Sequence, residues 1–560
     1  EVILIPLVKS GSEEFQSRFS SAAAAGKNLD LLSPGYGQAN LGNALEEAVE
    51  LLRNAVNLNK EIYLITDRQR TNLPEVNVLK NTDANIYLVE LPLEKNDNLG
   101  ITSIDFGGQI ILPGHDFEIT ANVKNYSNVE RHDIIASLFL DGNRTAQIDF
   151  KVPAGEETSV RFTRSVISTG FHSGYVELSD DKFPNDNRYY FSFRIPEHFN
   201  LLIIDGDQTG NLLSLAMVPS RTLNQYWSVK KTQPENLAGV NFWEYDVIIL
   251  TGAPELAKTY FKRIKSFLSR GKAVFITYHS QTDINYFNDN WSEITGVIYD
   301  KPLDENFSRA GYYSFLTFDA DHPIFSIFGF ENNQPPEIKF YTLPSLHLIN
   351  NTKTLLHFTG NRPALVESSY GNGTVLTFTG PIAPLYSDIT SHAFFVPFIS
   401  RIAEYLASDL SGYDLHLFCG DNISRSLTTN ISLRSSLELL TPDSSQYALV
   451  PEEELGSLVL RVKQTDTPGI YRINYPGKEI DRFAVNINPE ECNLSVIDTD
   501  QLASALGAEK INLLKQNVEL ASLISQFRYG KELWHLFLWL AAALLIIEML
   551  LSKGSAPEEE

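Results

Sequence analysis

Nineteen residues near the C-terminus, Leu533 to Leu551 (LWHLFLWLAAALLIIEMLL), form the one stretch of this chain long and apolar enough to cross a bilayer. At about 1.5 Å per helical residue the run spans roughly the 30 Å hydrocarbon core. Trp534 and Trp539 lie toward one end, where interfacial aromatics sit. The alternative, a buried helix of a globular domain, normally carries a polar face, and here only His535 and Glu548 interrupt the apolar run. The chain is therefore expected to be tethered to a membrane with most of its mass on one side. Glu548 is the ionisable group well inside the span, where an acidic residue costs about 2.5 to 3.5 kcal/mol at the centre and less toward an end. Two readings follow for it: it reaches the headgroups beside Lys553, or it contacts another membrane helix.

Composition bounds the rest. A chain of 560 residues predicts roughly three to five domains, each able to bury its own core. A hydrophobic fraction of 43% indicates globular folding, while a net charge of −24 and a pI near 4.9 argue against nucleic acid or an anionic leaflet as partners. Residue 1 is Glu and EVILIPLV reads as a buried strand, so the chain is expected to be a fragment, and the lack of a signal peptide carries no weight. Two cysteines, Cys419 and Cys492, exclude a disulfide scaffold and a thiolate zinc site. They flank one β-rich segment; two free thiols are expected, with a bridge between them as the alternative.

Along the chain, residues 1–95 alternate strand and helix: EVILIPLV, a helix around Glu13 to Ala25, LGNALEEAVELLRNAV with apolar spacing of three and four, EIYLITD and ANIYLVEL. That pattern predicts an α/β domain with a parallel sheet. Residues 96–196 switch to period-two strands such as DFEITANVKN and ETSVRFTRSV, separated by Gly, Pro and Asn turns, which predicts a β-sandwich of the immunoglobulin-like class. NLLIIDGD opens a second α/β domain over 197–411, with a loop-rich insertion from about Asn285 to Pro363. A second β-module is expected over 412–490, a predominantly helical linker over 491–532, the span over 533–551 and an acidic tail over 552–560.

EIYLITD ends in Asp67, at the C-terminal edge where α/β sheets place ligands. With the helix opened by GQANLGNALEEA and the strand closing in Thr66-Asp67, the first domain resembles a von Willebrand factor A domain, in the version carried by BatA-like aerotolerance proteins of the bacterial membrane. Further blocks in the same order, FYTLPSLHLI, YGNGTVLTFTGPIAPLYSD, HAFFVPFISRIAEYLA, DRFAVNINPEECNLSVID and YGKELWHLFLWLAAALLIIEMLL, extend the resemblance over nearly the whole chain. It implies two further membrane helices upstream, an extracytoplasmic body and, as partners, other von Willebrand A proteins and a MoxR-type ATPase. In that family Mg²⁺ is held by a D-x-S-x-S run, a Thr and an Asp, because a hard cation takes oxygen ligands from several loops. Here the run is missing, Ala39 and Asn40 stand where the Thr would fall, and Asp67 remains, so a degenerate metal site is expected.

The domain over 197–411 is similar to class I glutamine amidotransferases, whose nucleophilic Cys sits on a strained strand-to-helix turn. The corresponding turn follows KAVFITY and reads His279-Ser280-Gln281, and no cysteine occurs between 197 and 411. A non-catalytic domain is expected, with a hydrolase or amidotransferase using Ser280 and His279 as an alternative. Asp205 and Asp207 in IIDGD read as a tight turn rather than a ligand pair. Asp180, Asp181, Asp186 and Asn187 in SDDKFPNDN read as a hairpin turn, with calcium binding as the alternative. Phosphate-loop, G-x-S-x-G and H-E-x-x-H signatures are absent.

Arg528 and Lys531 flank one end of the span and Lys553 the other, so charge alone would place the body in the cytoplasm, whereas the resemblance places it outside; the reading follows the resemblance. The functional expectation is a membrane-anchored, non-enzymatic scaffold for protein contact at a bacterial envelope, without a cofactor. Its other competitor is a cation-dependent adhesin or sensor using Asp67.

Overall fold

The computed structural model describes residues 2–8, 19–30, 32, 34–55, 59–72, 79–80, 82–91, 98–107, 109, 111–179, 186–217, 227–280, 282–304, 311–320, 322–325, 328, 334–349, 352–408, 416–426, 435–454, 457–507, 511–514 and 533–553. The fold is mixed α/β with seven sheets among these residues and an apolar helix at the C-terminus.

The largest sheet has eight strands, in the order Trp227–Thr232, Phe199–Asp205, Val247–Thr251, Ala273–Tyr278, Gly373–Pro381, Arg362–Tyr370, Thr352–Phe358 and Phe315–Phe318. The first five run parallel and the last three antiparallel. Val247–Thr251 and Ala273–Tyr278 are buried at every position, because helices cover both faces of the sheet. Phe398, Ile402 and Leu406 of helix Phe395–Ser408 pack on one face, and Ile264, Phe267 and Leu268 of helix Lys258–Ser269 on the other. The expected loop-rich insertion is corrected here. Within 285–363 lie the last two strands of this sheet, whose Phe315, Leu356 and Phe358 enter its core, and a separate antiparallel pair, Val297–Asp304 with Leu343–Leu348.

The segment 96–196 forms two antiparallel sheets, one of Leu99–Asp105, Asp116–Asn125 and Glu157–Ser165, the other of Asn143–Val152, Arg131–Leu140, Gly170–Leu178 and Arg188–Ile195. Strand Asp116–Asn125 alternates exposed and buried, which seats Phe117, Ile119, Ala121 and Val123 between the sheets. The second β-module repeats the arrangement on a smaller scale, with a core around Leu439, Leu460, Tyr471, Ile473 and Phe483.

In the first α/β unit the structure departs from expectation three times. Its three-stranded parallel sheet joins Glu61–Thr66 to Asn85–Glu90 and then to Ile511–Leu514, more than four hundred residues later. The stretch 491–532 is therefore not simply a helical linker: Thr499–Leu506 is a helix, and Ile511–Leu514 is a strand whose Leu514 is fully buried. Leu502 and Leu506 close the core made by Leu41, Leu45, Ile62, Leu64 and Leu88. In EVILIPLV, the expected first strand, Val2 makes an isolated bridge to Ser20 among the described residues, while Leu7 packs at the edge of that core and its carbonyl accepts Asn40 N–H at 3.3 Å. The helix expected from Glu13 begins, among described residues, at Ala22, where the Ser21 hydroxyl caps Ala24 N–H.

The same return path ties the modules together. Asn486 is 1% exposed; its Oδ1 accepts Tyr190 N–H at 2.6 Å and its Nδ2 donates to the Tyr190 carbonyl at 3.0 Å, while its own backbone bonds Leu417 and Cys419. Ile497 N–H donates to the Arg68 carbonyl at 3.1 Å and Arg70 N–H to Ser495 at 3.0 Å. Residues 486–497 thus touch the second β-module, the sandwich and the first unit in turn. Cys419 and Cys492 are both free and buried, so the alternative of a bridge between them does not hold.

Because Leu502 is 1% exposed in a core shared with the first unit, Leu502→Ala should cost about 2 to 5 kcal/mol there. Amide exchange should report it as lost protection over Glu61–Thr66 with none lost over Ala273–Tyr278.

Candidate functional site

Parallel sheets expose ligand sites at the carboxyl ends of their strands, and the described residues form two such edges. In the first unit that edge is built from the loop before helix Leu41–Arg53, the end of strand Glu61–Thr66 and the turn Pro489–Cys492. Asn40 caps the helix, its Oδ1 accepting Asn43 N–H at 2.9 Å. Asp67 follows the strand, and its Oδ1 accepts Gln69 N–H at 3.3 Å, a local Asx turn. Across from them, Gln38 Nε2 donates to Glu490 Oε2 at 3.1 Å and Asn488 Nδ2 donates to Gln38 Oε1 at 3.3 Å. The Glu491 carboxylate accepts the backbone N–H of Ala39 and faces Asp67.

Burial pushes Glu491 above the ordinary carboxylate range; the Ala39 N–H opposes this, and the charges of Asp67 and Glu490 add to it. Its Oε1 is enclosed with no hydrogen-bond partner. The resemblance implied a magnesium ion at this edge, and the residues do not fit one. Ala39 has no side-chain oxygen and its N–H is bound to a carboxylate; Asn40 is spent on the helix cap and one Asp67 oxygen on its own turn. Among the described residues no three His, Cys, Asp or Glu side chains converge to hold a metal.

The second edge belongs to the central domain, at the reversal of strand order between Phe199–Asp205 and Val247–Thr251. Asp205, 3% exposed, accepts Gly210 N–H at 3.1 Å and the Thr251 hydroxyl at 3.0 Å, and its other oxygen lies 3.6 Å from Lys231 Nζ. Asp207 Oδ1 accepts both the N–H and the hydroxyl of Thr209. Thr251 and Thr277 receive the N–H groups of Gly206 and Gly252, and Thr282 donates to the Gly252 carbonyl at 2.9 Å. Asp205, Asp207, Thr251, Thr277 and Thr282 are thus engaged by the loops of this edge.

His279 and Ser280 follow strand Ala273–Tyr278 as expected, but the structure does not couple them. Ser280 Oγ is buried with no hydrogen-bond partner, His279 included, and the His279 ring lies edge-on to Tyr386 at 6.3 Å. Ser280 is not among the residues at positive φ. A serine nucleophile needs a base within hydrogen-bond reach, and that contact is missing.

Of the acidic candidates in SDDKFPNDN, Asp180 and Asp181 lie outside the described residues. Asp186 and Asn187 are 4% and 5% exposed between the paired strands Gly170–Leu178 and Arg188–Ile195. Asp186 Oδ2 accepts Asn98 Nδ2 at 2.6 Å, and Asn98 also donates to the Cys492 carbonyl at 2.8 Å, so this carboxylate joins the sandwich to the return segment. Beside it the Cys492 thiol is pushed up, chiefly by burial and then by Asp186; burial also pushes Cys419 up to about 12.

Helix Trp534–Lys553 contains an eighteen-residue window, Trp534 to Leu551, long and apolar enough to cross a membrane, and none of that window is buried against the rest of the chain. Trp534 and Trp539 are 53% and 74% exposed and Glu548 lies in the last turns. Lys553 is the last described residue, so the acidic end of the tail lies outside.

Sequence reasoning missed Gln38, Asn98, Glu491 and Asn486. The run Asn488-Pro489-Glu490 carries a local signal for a capped turn, and Asn488 does accept Glu490 N–H at 3.0 Å. Nothing local says that this turn lies on a sheet edge more than four hundred residues upstream.

No protein-family model and no curated protein sequence matches the chain. Among solved structures, the cytoplasmic protein STM1381 from Salmonella typhimurium LT2 is 14% identical, over 37% of this chain and 99% of its own, with a TM-score of 0.30. A ThuA-like protein from Parabacteroides merdae is 13% identical over 40% of this chain and 94% of its own, at 0.29. The cold-adapted β-galactosidase from Rahnella sp. R3 is 14% identical over 50% and 41%, at 0.26. At these scores none of the likenesses bears on function.

A carboxyl held above its unfolded pKa destabilises the fold once it ionises, so Glu491 has no such cost below the ordinary carboxylate range and a growing one as pH rises through its elevated pKa. Glu491→Gln keeps an oxygen for Ala39 N–H and removes the charge. Its denaturation midpoint should match wild type at about pH 4 and exceed it at about pH 7.

Proposed function

We propose that the chain is a membrane-anchored, non-enzymatic scaffold that presents protein-contact surfaces at a bacterial envelope. The observation that carries this reading is the return segment 486–497, which bonds three modules into one array. Both sheet edges where an α/β protein would take a ligand are occupied by the chain itself, one by the Pro489–Cys492 turn and the other by Asp205, Asp207, Thr251, Thr277 and Thr282. An array of fixed modules with its ligand edges filled serves as a platform better than as a catalyst.

In the finer form of this reading the first unit is a degenerate von Willebrand A domain, completed by Thr499–Leu506 and Ile511–Leu514 from beyond the inserted body, and the central domain is an amidotransferase-like fold without its nucleophile. The body lies outside the cytoplasm and the C-terminal helix is the last of three spans. The partners are other von Willebrand A proteins and a MoxR-type ATPase. Glu548 faces one of the companion helices, where a carboxyl finds a hydrogen-bond partner that lipid lacks.

Reciprocal affinity isolation of the tagged, detergent-solubilised chain and of its tagged ATPase partner tests the reading. The pair should co-isolate in both directions, and His279→Ala with Ser280→Ala should leave the yield unchanged. Failure to co-isolate in either direction, or a hydrolytic activity lost in the double variant, overturns it.

A further inference from the structure

The outer face of the second β-module carries an open hollow of about 370 Å³. Its floor is Ala448 on the strand Gln446–Leu449, and in the ladder Glu438 pairs with both Ala448 and Asn474. The three side chains therefore stand in one row on one face, with neighbouring Cβ atoms about 4.5 to 5.5 Å apart. Gln446, two residues from Ala448, shares that face, and Ser436, Leu437, Tyr447, Pro476 and Gly477, the last at φ +73°, complete the lining.

On the same module three other carboxylates are paired with arginines, Asp481 with Arg425 at 2.6 Å, Glu479 with Arg482 at 2.5 Å and Glu452 with Arg461 at 2.9 Å. In the hollow, the side chains of Ser436, Glu438, Gln446 and Asn474 make no hydrogen bond to another described residue, and no cationic side chain lines it. One carboxylate, two carboxamides and a hydroxyl converge there with their donors and acceptors uncommitted.

We propose that this hollow binds a neutral, polyhydroxylated ligand of the glycan class. Hydroxyl groups donate and accept, which matches carboxamides that do both and a carboxylate that accepts. An anion would meet Glu438 with no compensating charge, and a quaternary ammonium head, which neither donates nor accepts a hydrogen bond, would leave both carboxamides idle. The volume falls within the range of roughly 300 to 1,000 Å³ seen for small-molecule sites.

The test is titration calorimetry on the full chain in nanodiscs with maltotriose, cellotriose and chitotriose, and with choline and acetate as charged controls. At least one trisaccharide should bind saturably at millimolar concentration or below, and the controls should not. Glu438→Ala with Asn474→Ala should weaken binding about tenfold, equivalent to about 1.4 kcal/mol of hydrogen bonding. Ala448→Phe fills the floor while keeping every polar group, and should abolish binding. No saturation by any trisaccharide, binding that survives both variants, or a preference for choline or acetate overturns the proposal.

Discussion

Asn486 supplies the contact on which the arrangement of modules depends. A side-chain amide that both donates to and accepts from one backbone residue, Tyr190, reproduces a rung of β-ladder between domains that share no sheet. Its backbone is committed to Leu417 and Cys419, so the residue is fixed from both sides. Arg482 adds to the seam, its carbonyl accepting the Ser192 hydroxyl at 3.1 Å and its guanidinium donating to the Ser173 hydroxyl at 3.2 Å. Buried polar contacts of this kind fix orientation, because each is costly to leave unmade.

From that anchor the chain returns to its beginning. Tyr126 donates its hydroxyl to the Pro489 carbonyl at 3.2 Å, Gln38 holds the Glu490 side, and Gln69 bridges to Val496 before helix Thr499–Leu506 enters the first unit's core. The first unit is thus assembled from two distant stretches of chain, with the sandwich, the central domain and the second β-module inserted between them. Closing so long a loop is entropically unfavourable, but the cost grows only logarithmically with length, and the burial of Leu502, Leu506 and Leu514 offsets it. The helix Trp534–Lys553 follows this return segment in the chain, so the first unit and the second β-module share one route to it.

Much of the architecture was legible locally. Period-two alternation over Asp116–Asn125 and unbroken apolar runs at Val247–Thr251 and Ala273–Tyr278 report one-sided and two-sided burial, which is why the sandwich and the central parallel strands were found where expected. The errors have a common origin. EVILIPLV is apolar enough for a strand, and the residues before Ile511 periodic enough for a longer helix, yet strand pairing needs a neighbour that local pattern does not name. Phe315, Leu356 and Phe358 were hidden in a stretch rich in Asn, Asp and Pro, and only their burial against the central core shows that they belong to strands. At the candidate sites, Asp67, His279 and Ser280 were placed correctly at strand ends, while their surroundings were not: Glu491 beside Asp67 and the uncoupled Ser280 hydroxyl are facts of distance.

The sequence by itself determined the apolar C-terminal helix, the alternation of α/β and all-β segments and the absence of cysteine between residues 197 and 411, since each depends on residue type or on spacing within a few turns of chain. The tertiary structure decided that strand Ile511–Leu514 pairs with Asn85–Glu90, that Asp205 and Asp67 are bonded by their own loops and that both cysteines stay free. Those outcomes are set by which buried polar groups find partners across hundreds of residues, and hydrogen bonds of that range leave no periodicity for a sequence to display.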